Sequence, residues 1–437
     1  MNVKFVIFEL YIYMIFSHAT QWGLLSDKTV QFVSDPSMFV ERMCQETHSR
    51  VFTCRLLARQ TIVIADHKML ISFLNKSQKH FRNGLNDFAE LFGDSIMFAE
   101  EETAIELKKI LLPLFNEVSV DSYENILTEE LEDWAESIDL TRDINLYEEF
   151  KNISLSYNVS IFMGVRRKAD QELFETIKDL SSVHWHGVVS LPVNISLPLF
   201  GQGGYRKAIN AKKKLQEIMK DRLSSDGSAF FEKFQNNKGD VLTEELLFNH
   251  MLLFSCALIP KAVGSVLVMF YELRCKWEHL LQPDGGMTEE DLQCVLLEVM
   301  RLYPPFIGGV KVADVDTEVG PYHCPKDVAV YYSFMAAMRD PAVFLYPEEF
   351  LPNRWRNVSE REKHLVWGGG LHSCVGKIMS WRTILTMARF TLERFSITKK
   401  TEQRASPDIK HLPVLRPSNS TAFIFSTKQV SGTDSTN

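Results

Sequence analysis

One cysteine, Cys374, closes the stretch Trp367-Gly-Gly-Gly-Leu-His-Ser-Cys-Val-Gly376, and that setting governs what its thiol can do. Three consecutive glycines free the backbone for positive φ and let it approach a flat partner closely. The residues that follow, Lys377 to Arg389, read as a helix. The thiol then meets unpaired N–H groups and the positive end of a helix dipole, which favour the thiolate. An oriented, softened thiolate is the kind of donor that a haem iron takes as its axial ligand. A buried structural cysteine beside a flexible turn would fit the same residues, so the rest of the chain must choose.

Two further motifs carry charge at a defined spacing. In Glu298-Val-Met-Arg301 the acid and the base lie three apart on one helical face. Leu302-Tyr-Pro-Pro305 follows and must leave the helix. The second motif is Phe350-Leu-Pro-Asn-Arg354-Trp355. Taken alone, an acid–base pair of this spacing is a surface salt bridge worth under about 1 kcal/mol.

The elements that must position these residues read as mainly helical. The 437 residues are 45% hydrophobic and include 30 Phe, enough for a large helical core and an apolar pocket. A net charge of −8 with no long run of Lys or Arg argues against nucleic-acid binding. Seven scattered cysteines without a CxxC argue against a disulfide framework or a zinc site and place the main mass in a reducing compartment. The apolar run Phe5 to Phe16, interrupted by Glu9, is about half the roughly 20 residues that span a bilayer. Residues 1–21 are therefore expected to be a short anchor, 22–430 a single domain and 431–437 a frayed tail. Val51 to Asp66 reads as two short strands with a turn at Ala58-Arg59, and His67 to Val165 as helices. Residues 191–204 form a proline- and glycine-punctuated loop before a basic amphipathic helix, Tyr205 to Leu223. Met251 to Phe270 is the most apolar window. Pro260 and Lys261 at its middle speak for a buried, kinked central helix and against a membrane span. Beyond residue 320 short strands return, so the fold class is mainly α with small β-sheets (α+β).

In their order and spacing, the three motifs resemble the acid–arginine helix, the meander motif and the haem loop of the cytochrome P450 superfamily. Gly368 to Lys377, Pro304-Pro-x-x-Gly-Gly309, the Leu191-Pro…Tyr205…Lys212 segment and Trp22 to Phe32 are similar to its retinoic-acid hydroxylase branch. The resemblance implies the cytochrome P450 fold and haem b, with Cys374 as axial thiolate in a loop shaped by Gly370 and Gly376. It puts His372, Lys108 and Lys311 at the haem propionates, with Lys109 the adjacent base, and Glu298, Arg301 and Arg354 in a buried triad behind the haem. The activity it implies is hydroxylation of a lipophilic, retinoid-like or sterol-like substrate with O2. Electrons would come from an NADPH-dependent flavin reductase, and the enzyme would be a monomer at the cytosolic face of the endoplasmic-reticulum membrane.

The central helix departs from the family pattern of small–Gly–x–acid–Thr. Aligning on Leu252-Leu-Phe254 puts Ser255, Cys256, Ala257, Leu258, Ile259 and Pro260 across it, and both the acid and the threonine are gone. Proton delivery by such groups is worth about 10²–10⁴-fold. Ser255 is left as the polar side chain able to hold a water there. Ala104 stands where the family has tryptophan, and the interval from the central helix to Glu298 is shorter than the family pattern. Two alternatives follow: an O2-independent haem-thiolate isomerase or peroxygenase, which needs no proton relay, and a non-catalytic haem-binding homologue. The missing relay speaks against the monooxygenase; the intact Cys374, Glu298, Arg301 and Arg354 speak against the non-catalytic homologue.

Overall fold

Helix starts are written in the sequence as capping side chains. Asp66 accepts from the Met69 N–H at 2.7 Å and opens α1, His67–Asn75. Helix α2 is Glu101–Leu111, α3 Leu146–Met163, α4 Gln171–His186 and α5 Gly204–Ser225. Thr243 caps α6, Glu244–Leu252, and Thr288 caps α8, Glu289–Leu302, each through its hydroxyl. Between them lies α7, Ile259–Glu272; α9, Lys377–Arg394, follows the Cys374 loop. These positions come from a computed structural model that describes residues 27–76, 79–190, 196–197, 201–225, 243–282, 286–400, 407–418 and 422–428. The expected anchor (1–21), the frayed tail (431–437) and most of the loop at 191–204 lie outside them.

A five-stranded sheet flanks the helices. Its strands are β1 (Val51–Leu56), β2 (Arg59–Ile64), β3 (Phe81–Asn83), β4 (Gly308–Ala313) and β5 (Ala329–Ser333), in the order β1-β2-β5-β4-β3. Only β2 and β5 run parallel within it. The β1–β2 turn falls one residue earlier than expected, at Leu57-Ala58, because Leu56 pairs with Arg59. Both turn residues have positive φ, the geometry that matches the twist of a two-residue hairpin.

The largest hydrophobic cluster surrounds the central helix, where Val263, Val266, Leu267, Met269 and Phe270 are fully buried. Glu244–Glu272 is long and apolar enough to cross a membrane, yet 89% of its most apolar window is buried inside the protein, as expected of a core helix. The kink expected at Pro260 begins earlier. Leu253–Ala257 forms a π turn in which the Leu258 N–H bonds to the Leu253 carbonyl, five residues back, at 3.0 Å. Helix α7 then packs on α3 so closely that a Cβ on Gly264 would stand 3.1 Å from the Lys151 nitrogen and 3.2 Å from the Tyr147 carbonyl oxygen. Gly264→Val should therefore overpack this crossing and cost about 1–3 kcal/mol in a denaturant titration; a neutral result would show that the two helices can part.

Candidate active site

The acid of α8 lies at the centre of a network wholly removed from water. Glu298 and Arg301 have no exposed surface. Arg301 grips the carboxylate with two parallel bonds, Nε to Oε2 at 3.0 Å and Nη2 to Oε1 at 2.9 Å, the fork geometry that only arginine offers. Its other N–H groups donate to the carbonyls of Met338 (2.9 Å), Pro347 (2.6 Å) and Glu349 (2.9 Å). Glu298 also accepts from the Trp355 indole N–H (2.8 Å), the Leu351 N–H (2.8 Å) and Arg354 Nε (3.3 Å). Glu298 and Arg301 of one helix are joined by Arg354, 56 residues on from Glu298, and every donor of Arg301 is used.

A residue that the sequence did not single out carries this network toward the cysteine. His364 packs its ring on Trp355, with centroids 5.0 Å apart. One ring nitrogen, Nε2, donates to the Leu297 carbonyl at 2.9 Å; the other, Nδ1, accepts the Val366 N–H at 3.4 Å. Burial pushes its pKa down to about 4, so the ring is neutral and its tautomer is set by its two bonds. A lone histidine between two motifs has no spacing rule that marks it. From there the chain enters the glycine loop, where the Cys374 N–H donates to the Trp367 carbonyl at 2.8 Å. Gly368 and Gly370 both have positive φ. A Cβ on Gly370 would lie 2.2 Å from the Leu74 carbonyl oxygen, so the loop lies against the end of α1 as only glycine allows.

Cys374 has exposed surface, yet burial raises its thiol pKa, against the lowering effect of the Gly376 N–H, Lys108 and Lys377. The thiol thus has accessible surface while most of its surroundings are protein. The helix-end contribution expected to favour the thiolate is present as the Gly376 N–H, and desolvation outweighs it. Ile259 of the central helix lies near the end of this loop: a Cβ on Gly376 would stand 3.7 Å from its Cδ1 and 4.0 Å from the Cys374 sulfur.

The two bases of α2 separate cleanly. Lys108 reaches inward and donates from Nζ to Ser373 Oγ at 2.9 Å, while Lys109 is exposed and pairs with Glu106 at 2.6 Å. Burial lowers the Lys108 pKa, and Cys374 works to raise it. Lys311 on β4 is 92% buried, as its 8% exposure implies, and burial pushes its pKa down to about 8. Among the described residues its ammonium has no hydrogen-bond or ion-pair partner. The side chain of His372 lies outside the described residues. Ser255 is fully buried and donates its hydroxyl to the Met251 carbonyl at 2.6 Å, so that proton is already engaged within the helix.

The family described as cytochrome P450 matches residues 28–250 and 291–425. The stretch it leaves out between them holds the π turn, Pro260 and all of α7. Cytochrome P450 26B1 of Danio rerio is 25% identical over 358 residues, covering 71% of this chain and 67% of that relative. Its namesake in Xenopus tropicalis is 23% identical over 439 residues, covering 86% and 80%. Among solved structures, the retinoic acid bound cyanobacterial CYP120A1 shares the fold with a TM-score of 0.72 at 22% identity, covering 92% of this chain and 96% of that one.

Two outcomes test the network. Glu298→Ala leaves the Arg301 cation buried without its carboxylate and should cost about 3–5 kcal/mol, well above Arg354→Ala, whose one long bond to Glu298 lies at the network's edge and whose other donors reach the exposed side at Leu345 and Tyr346. Equal losses in a denaturant titration would contradict a network centred on Glu298 and Arg301. The second concerns pH. His184, His250 and His364 are all pushed down to about 4 by burial, against about 6.5 when unfolded. The unfolded chain therefore binds more protons, and the stability these groups contribute is present above pH 6.5 and lost as pH falls toward 4. His364→Gln should reduce proton uptake on unfolding at pH 5 by about one, read from the pH dependence of the urea midpoint.

Proposed function

The chain belongs to the cytochrome P450 family, and on that premise we propose that it hydroxylates a lipophilic substrate of the retinoid or sterol kind, with Cys374 as the axial thiolate. Membership makes it an oxidoreductase, a monooxygenase whose cofactor is haem with a cysteine-ligated iron. The observation that carries the residue assignment is the Cys374 loop, an accessible thiol held by backbone bonds with Lys108 donating to Ser373 beside it. Lys311 is a buried ammonium without a protein partner among the described residues. That donor set fits a flat porphyrin with two carboxylates, which Lys108 and Lys311 would pair.

When bound, haem supplies activation of dioxygen for insertion into a C–H bond, and a thiolate ligand favours O–O cleavage. The protein's part is geometric. The Trp367 carbonyl and the Gly376 N–H hold the cysteine, the Glu298 network fixes the loop behind it, and Ile259 presents an apolar surface that excludes water. The names of the relatives and the retinoic acid held by the structural neighbour support a retinoid. The same reading takes residues 22–430 as one catalytic unit, monomeric, on the cytosolic face of the endoplasmic-reticulum membrane and supplied by an NADPH-dependent flavin reductase.

One observation favours a second reading, the O2-independent isomerase or peroxygenase. Leu258 and Ile259 stand in place of the proton-relay acid and threonine, and the Ser255 hydroxyl is engaged with Met251. The reduced, carbon-monoxide-bound spectrum tests what both share: the wild type should show the thiolate-ligated band and Cys374→Ala should lose it. An unchanged spectrum in that variant would exclude Cys374 as ligand. NADPH oxidation coupled to hydroxylation of all-trans-retinoic acid, retinol or a sterol is the outcome expected of the monooxygenase. Turnover only with hydrogen peroxide, or with no oxidant, would replace it with the second reading.

A further inference from the structure

The central helix carries a buried ammonium that none of the roles above uses. Lys261 is 4% exposed and sits beside the break in the helix. Proline has no N–H to return to the carbonyl four residues earlier, and Pro260 so frees the carbonyl of Cys256. That oxygen accepts the Ser181 hydroxyl of α4 at 2.8 Å and also the Lys261 ammonium. Lys261 donates in addition to Ser181 Oγ at 2.9 Å, closing a triangle of three groups across two helices. Its ammonium also lies 5.6 Å from the ring centre of Trp185, on α4, within range of a cation–π attraction.

The freed carbonyl does not by itself require a lysine, because Ser181 already satisfies it. Among the described residues every group that Lys261 donates to is neutral, and the charged groups near it act in opposite directions. Glu148 and Lys151 of α3 act in opposite directions, the Cys256 thiol favours the ammonium, and His184 on α4 is held neutral by burial. Desolvation lowers the lysine pKa to about 7. A buried charge of this kind opposes stability unless it is well paired, and an apolar side chain of similar length is commonly as stable or more so. Its contacts instead join the broken turn to α4, two residues from Ile259, the side chain that meets the Cys374 loop.

We infer that Lys261 is a positioning residue for the reaction: with Ser181 it clamps the break in the central helix to α4 and so fixes how far Ile259 stands from the Cys374 loop. This rests on the haem-thiolate reading above. It gives a physical reason for Pro260-Lys261 directly after Leu258 and Ile259, the positions at which the family pattern places its acid and threonine. The broken segment needs an outside anchor, and the neighbouring helix supplies it.

The test compares wild type, Lys261→Met, Ser181→Ala and the double variant by two readouts. In the haem-loaded proteins, imidazole affinity would report a change in the surroundings of the iron when Ile259 moves relative to the Cys374 loop, which a merely structural role would leave alone. Lys261→Met and Ser181→Ala should each shift the imidazole Kd by about tenfold. The double variant should add little to either, and the thiolate band should be retained. Amide exchange over residues 253–262, which needs no haem, should rise by about tenfold in the same variants while α8 and α9 stay protected. Thermal stability of Lys261→Met should not fall, since a buried charge is removed. An imidazole Kd within twofold of wild type in both single variants, or unchanged exchange at the break, overturns the clamp. A fall in stability with unchanged imidazole affinity makes Lys261 structural only and overturns it as well. If Lys261→Met does not fold, Ser181→Ala decides by the same criteria. A wild type lacking the thiolate band defeats the haem reading itself, which the exchange data then distinguish from failure of the clamp.

Discussion

A carboxylate taken fully out of water is the constraint on which the site depends. Glu298 is tolerable there only because Arg301 meets it with a fork and because Trp355, Arg354 and the Leu351 N–H occupy its remaining lone pairs. The same arginine then has donors to spare for three carbonyls between Met338 and Glu349. That is how a segment with little regular structure of its own acquires a fixed path. Local rigidity here comes from charge satisfaction more than from secondary structure.

From that anchor, fixity passes along covalent and packed neighbours to the cysteine. Trp355 stacks near His364, His364 bonds to α8 through Leu297, and the chain runs on through Trp367 to the Cys374 N–H. Gly370 abuts the end of α1 from the other side. The central helix is built on another plan. It is interrupted by a π turn and a proline, whose freed carbonyl is taken up by a neighbouring helix. The loop is held by ionic pairing, the central helix by apolar packing and a buried lysine.

The motifs legible in the sequence were those in which type and spacing coincide. Glu298 and Arg301 share a helix face by periodicity alone, and the glycines before Cys374 announce an unusual backbone. The α+β class and the buried nature of the Met251–Phe270 window were also readable, because Pro260 and Lys261 suit no lipid environment. Other features depend on tertiary packing. Lys108 and Lys109 are neighbours in sequence, and which of them turns inward is set by the buried row Ala104, Leu107 and Leu111. His364 has no partner at a fixed offset. Lys261 read only as a charge that lipid would reject, since its acceptor Ser181 lies 80 residues away. The hairpin turn at Leu57-Ala58 carries no glycine, so its position was missed by one residue.

The two inward lysines have a consequence for how the protein matures. Lys108 is half-buried and Lys311 buried in an acidic molecule, whose net charge is −8. If these two lysines receive the carboxylates of an anionic cofactor, the outer surface repels that cofactor while they attract it. Ionic strength screens exposed charges beyond roughly 8–10 Å and buried ones much less. Uptake of such a cofactor would then rise with moderate salt, the opposite of capture by a cationic surface.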